Sequence, residues 1–140
     1  MSQKLNTKNL CALCVDFRRK LEKECGWDNK KNCMKGRCYD VSLRLSRILQ
    51  KQGFPARLAS GYYSTGLPFP ESWDKKMITA WKKFSRCSDF GENHCWIEAE
   101  DILIDVTSDQ FHPGEEDKYR VIIIKRNKAK RHHTNALIDV

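Results

Sequence analysis

The sequence predicts an α+β fold in which N-terminal helices, one of them carrying a cysteine at its start, pack on a mostly antiparallel sheet. Apolar residues recur at helical spacing in the first part of the chain, and short β-branched or alternating segments follow in the second part. The 140 residues suit one domain, with no internal repeat or linker. We expect this domain over residues 1–124 and a basic C-terminal tail over residues 125–140.

Helical periodicity predicts the first elements of this fold. A helix is expected over residues 7–25, with Thr7 as N-cap and a buried stripe of Leu10, Cys14, Phe17 and Leu21. A second helix is expected over residues 38–52, where Gly53 ends it and the buried stripe consists of Val41, Leu45, Ile48 and Leu49. A shorter helix is expected over residues 72–84, after a loop rich in Gly and Pro.

Four strands are predicted in the rest of the chain, over residues 56–63, 94–99, 102–107 and 119–124. Glu100-Asp101 forms a two-residue turn between the middle two strands. That register places apolar residues opposite one another on one face of the hairpin: Ala99 with Ile102, Ile97 with Ile104, and Cys95 with Val106. A uniformly apolar face supports the register, because a slip by one residue would mix apolar and polar side chains.

The other face of this hairpin brings a histidine to an aspartate. Trp96 lies opposite Asp105, and His94 is the diagonal neighbour of Asp105, within reach of its side chain. A carboxylate beside an imidazole fixes its tautomer and stabilises its protonated form, which suits a general base. The alternative is a surface histidine in an ordinary ion pair.

Cys38 is the candidate nucleophile. It follows Gly36-Arg37 at the start of the second predicted helix. The N-terminus of a helix favours a thiolate, and its free N–H groups can stabilise an oxyanion. Alone, such a cysteine is more often a small buried apolar residue. A cysteine at a helix start, followed by a histidine and an aspartate on strands, favours thiol acyl transfer.

These segments resemble the transglutaminase-like superfamily of papain-like cysteine enzymes over roughly residues 33–112. The resemblance is carried by Gly36-Arg37-Cys38, His94-Cys95-Trp96-Ile97-Glu98 and Ile104-Asp105-Val106-Thr107. It implies that Cys38 is the nucleophile, His94 the general base and acid, and Asp105 the group that orients the imidazole. It also implies a peptidase, amidase or deamidase that acts on a peptide or protein through a thioester, without metal or organic cofactor.

The sequence indicates the other residues of the implied pocket less specifically. Besides the Cys38 backbone N–H, the upstream candidate for a second oxyanion donor is Asn32, together with Asn29. Gln110, just beyond Asp105, is expected to line the pocket instead. Trp96 is expected to be a wall that shields the ion pair, and Glu98 is expected to be structural.

Charge supports a second hypothesis, a non-catalytic binding module. The formal net charge is +8, and residues 125–140 hold five basic residues against Asp139. Such a tail is typically a solvated arm and sometimes contacts an acidic protein or nucleic acid. No nucleic-acid motif accompanies it, so nucleic acid is disfavoured. His112 and the pair His132-His133 are expected to be exposed, the pair without a carboxylate partner.

The seven cysteines raise a third hypothesis, a small zinc protein built on Cys11, Cys14, Cys25 and Cys33. Cys14 belongs to a helical apolar stripe, which favours core packing instead. Cys95 is expected on the apolar face of the hairpin, in a structural role.

Residues 1–8 lack the apolar stretch of a secretory signal, and no apolar run approaches the ~20 residues of a membrane span. We therefore expect a cytoplasmic protein with reduced thiols and no membrane partner.

Overall fold

A computed structural model of the chain describes residues 7–24, 37–85 and 89–139. Its helices are α1 (Thr7–Glu24), α2 (Cys38–Lys51), α3 (Lys75–Ser85) and α4 (Glu116–Tyr119). Its strands are β1 (Ala56–Ser64), β2 (Gly91–Ala99), β3 (Ile102–Asp105), β4 (Ile122–Lys125) and β5 (His132–Ile138). The strands form one antiparallel sheet in the order β4-β3-β2-β1-β5. The predicted α+β class is confirmed.

Helices α1 and α2 pack on one face of the sheet and form the main core. The predicted stripe of α1 is buried there, together with three of the four predicted residues of α2 and the sheet residues Ile97, Ile104 and Val106. The fourth residue, Ile48, was wrongly assigned, because its side chain is 38% exposed and Ser46 is buried instead. No described helix is long and apolar enough to cross a membrane.

The hairpin of β2 and β3 has the predicted register. Ala99 pairs with Ile102 and Ile97 pairs with Ile104. Glu100 opens the turn with φ of 57°, the left-handed conformation that a tight hairpin turn demands. The hairpin therefore presents alternate residues of β2 to opposite faces of the sheet.

The sheet is curled, because side chains of its two edge strands line one cavity. β4 and β5 lie at opposite edges but are joined only by residues 126–131, of which Arg126–Lys128 form a 3₁₀ turn. The two edges nevertheless approach each other, since Ile122 and Ile124 of β4 line the same cavity as His132 of β5. The concave face carries a second apolar cluster, in which Trp96 packs with Leu103 and Ala129.

The C-terminal residues belong to this sheet rather than to a solvated arm. β5 pairs with β1, so that Tyr63 lies opposite His132 and Tyr62 opposite His133. A side chain at Gly61 would collide with the backbone carbonyl of His133, which shows how closely the two strands approach. The sequence did not predict β5 because this segment is polar and lacks an alternating apolar pattern.

Candidate active site

Cys38 is the first residue of α2 and its side chain is half-buried. The first-turn N–H groups of a helix have no partner within the helix, so they remain available to an anion. The first turn is held by the backbone bond from Val41 N to the Arg37 carbonyl, 3.0 Å long. It is also fixed to the sheet, because the Ser42 hydroxyl donates to the Cys95 carbonyl at 3.3 Å. The thiol therefore has a defined position over β2.

His94 on β2 and Asp105 at the end of β3 meet as the hairpin register predicted. The Nε2 of His94 donates to Oδ2 of Asp105 at 2.7 Å. The exposed fraction is 2% for His94 and 1% for Asp105. Burial makes this bond much stronger than an exposed ion pair, so the alternative of an ordinary surface pair is excluded.

Cys38 lies next to the His94 ring. Because Nε2 is bound to Asp105, the nitrogen left for the thiol is Nδ1, which is buried and has no fixed hydrogen bond within the described residues. A loose contact of this kind is usual for a nucleophile and its base before substrate binds. The neighbouring Cys95 thiol, and then the adjacent His94 ring with its positive charge, lower the pKa of Cys38 to about 4 against the cost of burial.

The same contacts act on His94 in the opposite direction. Burial alone would lower the pKa of His94, but the Asp105 carboxylate and the Cys38 sulfur raise it to about 9. Cys38 is thus deprotonated above pH about 4, and His94 stays protonated up to pH about 9. Between these limits the pair is a thiolate beside an imidazolium, which is the reactive form of a cysteine nucleophile.

Asp105 is held as a carboxylate by several donors. Besides His94, it accepts hydrogen bonds from the Thr107 backbone N–H at 2.9 Å, from the Thr107 and Ser108 hydroxyls, and from Nε2 of His132 at 2.8 Å. Burial would raise the pKa of Asp105, but the charge of His94 and the bond from His132 hold it well below its usual value. Asp105 can therefore keep a proton on His94 without taking it.

His132 corrects an expectation from the sequence. It was expected to be exposed and without a carboxylate partner, yet it is 5% exposed and bound to Asp105. Its ring lies between Tyr63 and Trp96, with ring centroids 4.9 Å away in both cases. His112 is also buried, hydrogen-bonded to the Tyr63 hydroxyl at 2.6 Å. The hydrogen-bond partners of His132 and His112 lie far from them in the sequence. No local sequence pattern could therefore have indicated these two contacts.

Cys95 is closer to the chemistry than the sequence suggested. It lies beside the Cys38 thiol, and its backbone carbonyl accepts the hydrogen bond from the Ser42 hydroxyl of α2. The hydrogen bond with Cys38 and burial raise the pKa of Cys95 well above its usual value. Cys95 therefore favours its protonated form beside Cys38, so it adjoins the candidate nucleophile in addition to the structural role that we expected.

The other predicted pocket residues are placed as follows. Trp96 is fully buried beside His94, and its Nε1 donates to Glu98 at 3.2 Å, so it shields the pair and has no free donor. Glu98 is structural, since Arg126 and the Thr134 hydroxyl also bind its carboxylate. The Gln110 amide donates to the Thr107 carbonyl at 3.0 Å and braces the turn after Asp105. Asn32 lies outside the described residues.

Two of the four proposed zinc ligands are described, and their surroundings differ. Cys11 is exposed, whereas Cys14 is buried in the core. Burial, and then the nearby Cys11, raise the pKa of the Cys14 thiol to about 12, which opposes the thiolate that zinc requires. Cys25 and Cys33 lie outside the described residues.

The described residues thus bring a thiol, an imidazole and a carboxylate together at one end of the sheet. Comparison of the chain with protein-family models, with curated proteins and with solved structures finds no match. The arrangement itself can activate a sulfur nucleophile, hold an imidazolium as proton donor, and offer helix N–H groups to an oxyanion.

Replacing His132 with phenylalanine is expected to destabilise the protein by about 1–3 kcal/mol, because the buried Asp105 carboxylate loses a donor. The neighbouring residue offers a matched control: His133→Phe changes a half-buried side chain that does not bind Asp105, and should cost less than about 0.5 kcal/mol. Urea unfolding of both variants measures the difference. Equal losses would show that the bond to Asp105 contributes nothing.

Proposed function

We propose that the chain is a cysteine-dependent amide-bond enzyme of the transglutaminase-like, papain-like type. One observation carries the proposal: the buried His94–Asp105 pair, with its 2.7 Å bond, adjoins a thiol at a helix N-terminus whose pKa is lowered to about 4. The packing of α2 on a sheet whose neighbouring strands carry His94 and Asp105 supports the papain-like arrangement. The substrate class is a peptide or protein amide.

The first half of the reaction uses all three groups. The Cys38 thiolate attacks the carbonyl carbon of the amide, and the electron pair of the C=O bond moves to oxygen. The Cys38 backbone N–H and one further donor stabilise this oxyanion. His94, protonated up to pH about 9, gives its Nδ1 proton to the leaving nitrogen as the C–N bond breaks. An amine departs and a thioester remains on Cys38.

The second half restores the enzyme. Neutral His94 removes a proton from water, whose oxygen attacks the thioester carbonyl. The C–S bond breaks, an acid is released, and the thiolate–imidazolium pair re-forms. Water acting on a peptide bond gives proteolysis, and water acting on a side-chain amide gives deamidation. An amine in place of water gives transamidation.

The first test is the pH dependence of Cys38 alkylation by iodoacetamide. In the wild type the rate should be nearly flat between pH 5.5 and pH 8, because the thiolate is already formed above pH about 4. In His94→Ala the pKa of Cys38 should rise toward its ordinary value but stay below it, because the Cys95 thiol still lowers it, so the rate should climb with pH. At pH 5.5 the thiolate fraction should fall, and the higher nucleophilicity of the more basic sulfur offsets part of this fall, so the net loss in rate should be less than about tenfold.

Peptide mapping by mass spectrometry distinguishes alkylation of Cys38 from alkylation of the exposed Cys11. Cys38→Ser should abolish the part of the total alkylation rate that does not change with pH. His133→Ala is the matched histidine control and should leave the profile unchanged. A wild-type profile that titrates near pH 8.5 would sink the proposal. A screen of Gln- and Asn-containing peptides for released ammonia or new termini then distinguishes deamidation from proteolysis.

A metal centre is the second candidate, because the ligand atoms of His94, Asp105 and His132 lie within 4.8 Å of one another. The distances favour hydrogen bonds: both Nε2 atoms are 2.7–2.8 Å from the same Oδ2, which is direct contact rather than the spacing of ligands around an ion. Metal analysis of the purified protein decides between a hydrogen-bonded cluster and a metal centre. One tightly bound ion per chain, lost in His132→Phe, would favour the metal centre.

A further inference from the structure

A cavity of about 320 Å³ opens where the two edges of the curled sheet approach each other. Its wall is apolar: β4 contributes Ile122 and Ile124, the crossing to β5 contributes Ala129, and α4 contributes the ring of Tyr119. Among the described residues, neither Cys38 nor His94 lines it. The cavity therefore does not contain the nucleophile or the base, although His132, which lines it, binds Asp105.

The rim of this cavity is positively charged. Lys118, Lys128, Lys130 and Arg131 line it, and none of the described lining residues is acidic. Lys118 is paired with Glu115 at 3.6 Å. In the described part of the chain, no carboxylate pairs with the other three: Lys130 donates to the Asn127 carbonyl and Arg131 to the Ser64 carbonyl. Three cationic residues close in sequence thus line an apolar cavity without a paired carboxylate among the described residues.

The polar groups at the inner end of the cavity are already satisfied. The Tyr63 hydroxyl is bound to His112, and Nε2 of His132 is bound to Asp105. The polar atoms of these two residues therefore already have partners within the protein. The result is an aromatic and aliphatic wall beneath uncompensated positive charge, which is the pattern expected for an amphipathic anion.

We propose that this cavity binds a small organic anion, with an aromatic or short aliphatic body against Ile122, Ile124 and Ala129 and a phosphate group at Lys128, Lys130 and Arg131. Its volume is at the small end for ligand sites, which limits the ligand to about one or two rings. Three cations suit the two negative charges of a phosphate monoester better than the single charge of a carboxylate. The proposal concerns a site beyond the amide chemistry and does not depend on it.

The test uses 1-naphthyl phosphate, titrated into the full chain by calorimetry. It should bind at least about tenfold more tightly than either inorganic phosphate or 1-naphthol, because each of these offers only half of the interaction. Lys128→Gln/Lys130→Gln should weaken binding about tenfold or more, since it removes two charged donors. The matched control is Lys75→Gln/Lys76→Gln on α3, which removes the same charge from an exposed surface and should change binding less than twofold.

One further variant and one further measurement complete the test. Cys38→Ser should bind as the wild type does, so failure of the amide chemistry and failure of this site are separate outcomes. Equal affinity for naphthyl phosphate and inorganic phosphate, equal weakening by the two double variants, or no binding at millimolar concentration would each overturn the proposal. Chemical shift changes confined to Ile122, Ile124 and Ala129 on titration would locate the ligand in the cavity.

Discussion

Asp105→Asn should lower the pKa of His94 from about 9 to below its ordinary 6.5. Burial opposes the imidazolium, and the Asp105 carboxylate is the main group that outweighs it. An asparagine side chain keeps the size but loses the charge, so burial then prevails. With His94 neutral near pH 7, the proton for the leaving amine is missing. We expect amide turnover to fall by about 10⁴, as it does when the carboxylate of a serine triad is replaced.

The His94 titration is measured by NMR of the imidazole nitrogens, and turnover with the peptide that the screen identifies. Asp101→Asn is the control from the same hairpin, because Asp101 is an exposed turn residue and its loss should leave the pKa of His94 unchanged. Retention of a pKa near 9 in Asp105→Asn would mean that another group holds the proton on His94. Circular dichroism confirms that the variant is folded.

Arg18→Met should destabilise the protein by about 3–5 kcal/mol, because it leaves a buried carboxylate without its partner. Arg18 on α1 and Asp109, in the turn after Asp105, are both buried and joined by two hydrogen bonds of 2.9 and 2.6 Å. The same guanidinium also donates to the Val106 carbonyl. Arg18 thus fixes the segment that follows the Asp105 strand to the first helix.

Two further variants isolate this effect in denaturant unfolding. Arg44→Met breaks the exposed pair of Arg44 and Glu24 and should cost less than about 1 kcal/mol. Arg18→Met/Asp109→Leu removes both buried charges and should cost clearly less than the sum of the two single variants. Additive losses would show that the two side chains act independently.

Much of the candidate site was predictable because its parts are local. The two-residue turn and the apolar alternation of the hairpin determine which residues of β2 and β3 face each other, and this alone brings His94 to Asp105. The helical stripe and the position of Cys38 at the start of α2 are equally local properties. No sequence pattern within the hairpin or the helix, however, specifies the distance between the thiol and the imidazole.

By itself, the sequence determined the class of the fold, the register of the hairpin and the identity of the candidate nucleophile, base and carboxylate. Only the tertiary structure decided that His132 binds Asp105, that Cys95 lies beside Cys38, and that residues 132–138 pair with β1 at the edge of the sheet. The physical reason is the range of the interactions. Periodicity in the sequence indicates which face of a helix or strand is buried. A polar edge strand and its buried histidine are instead stabilised by partners tens of residues away, and such contacts produce no periodic pattern in the sequence.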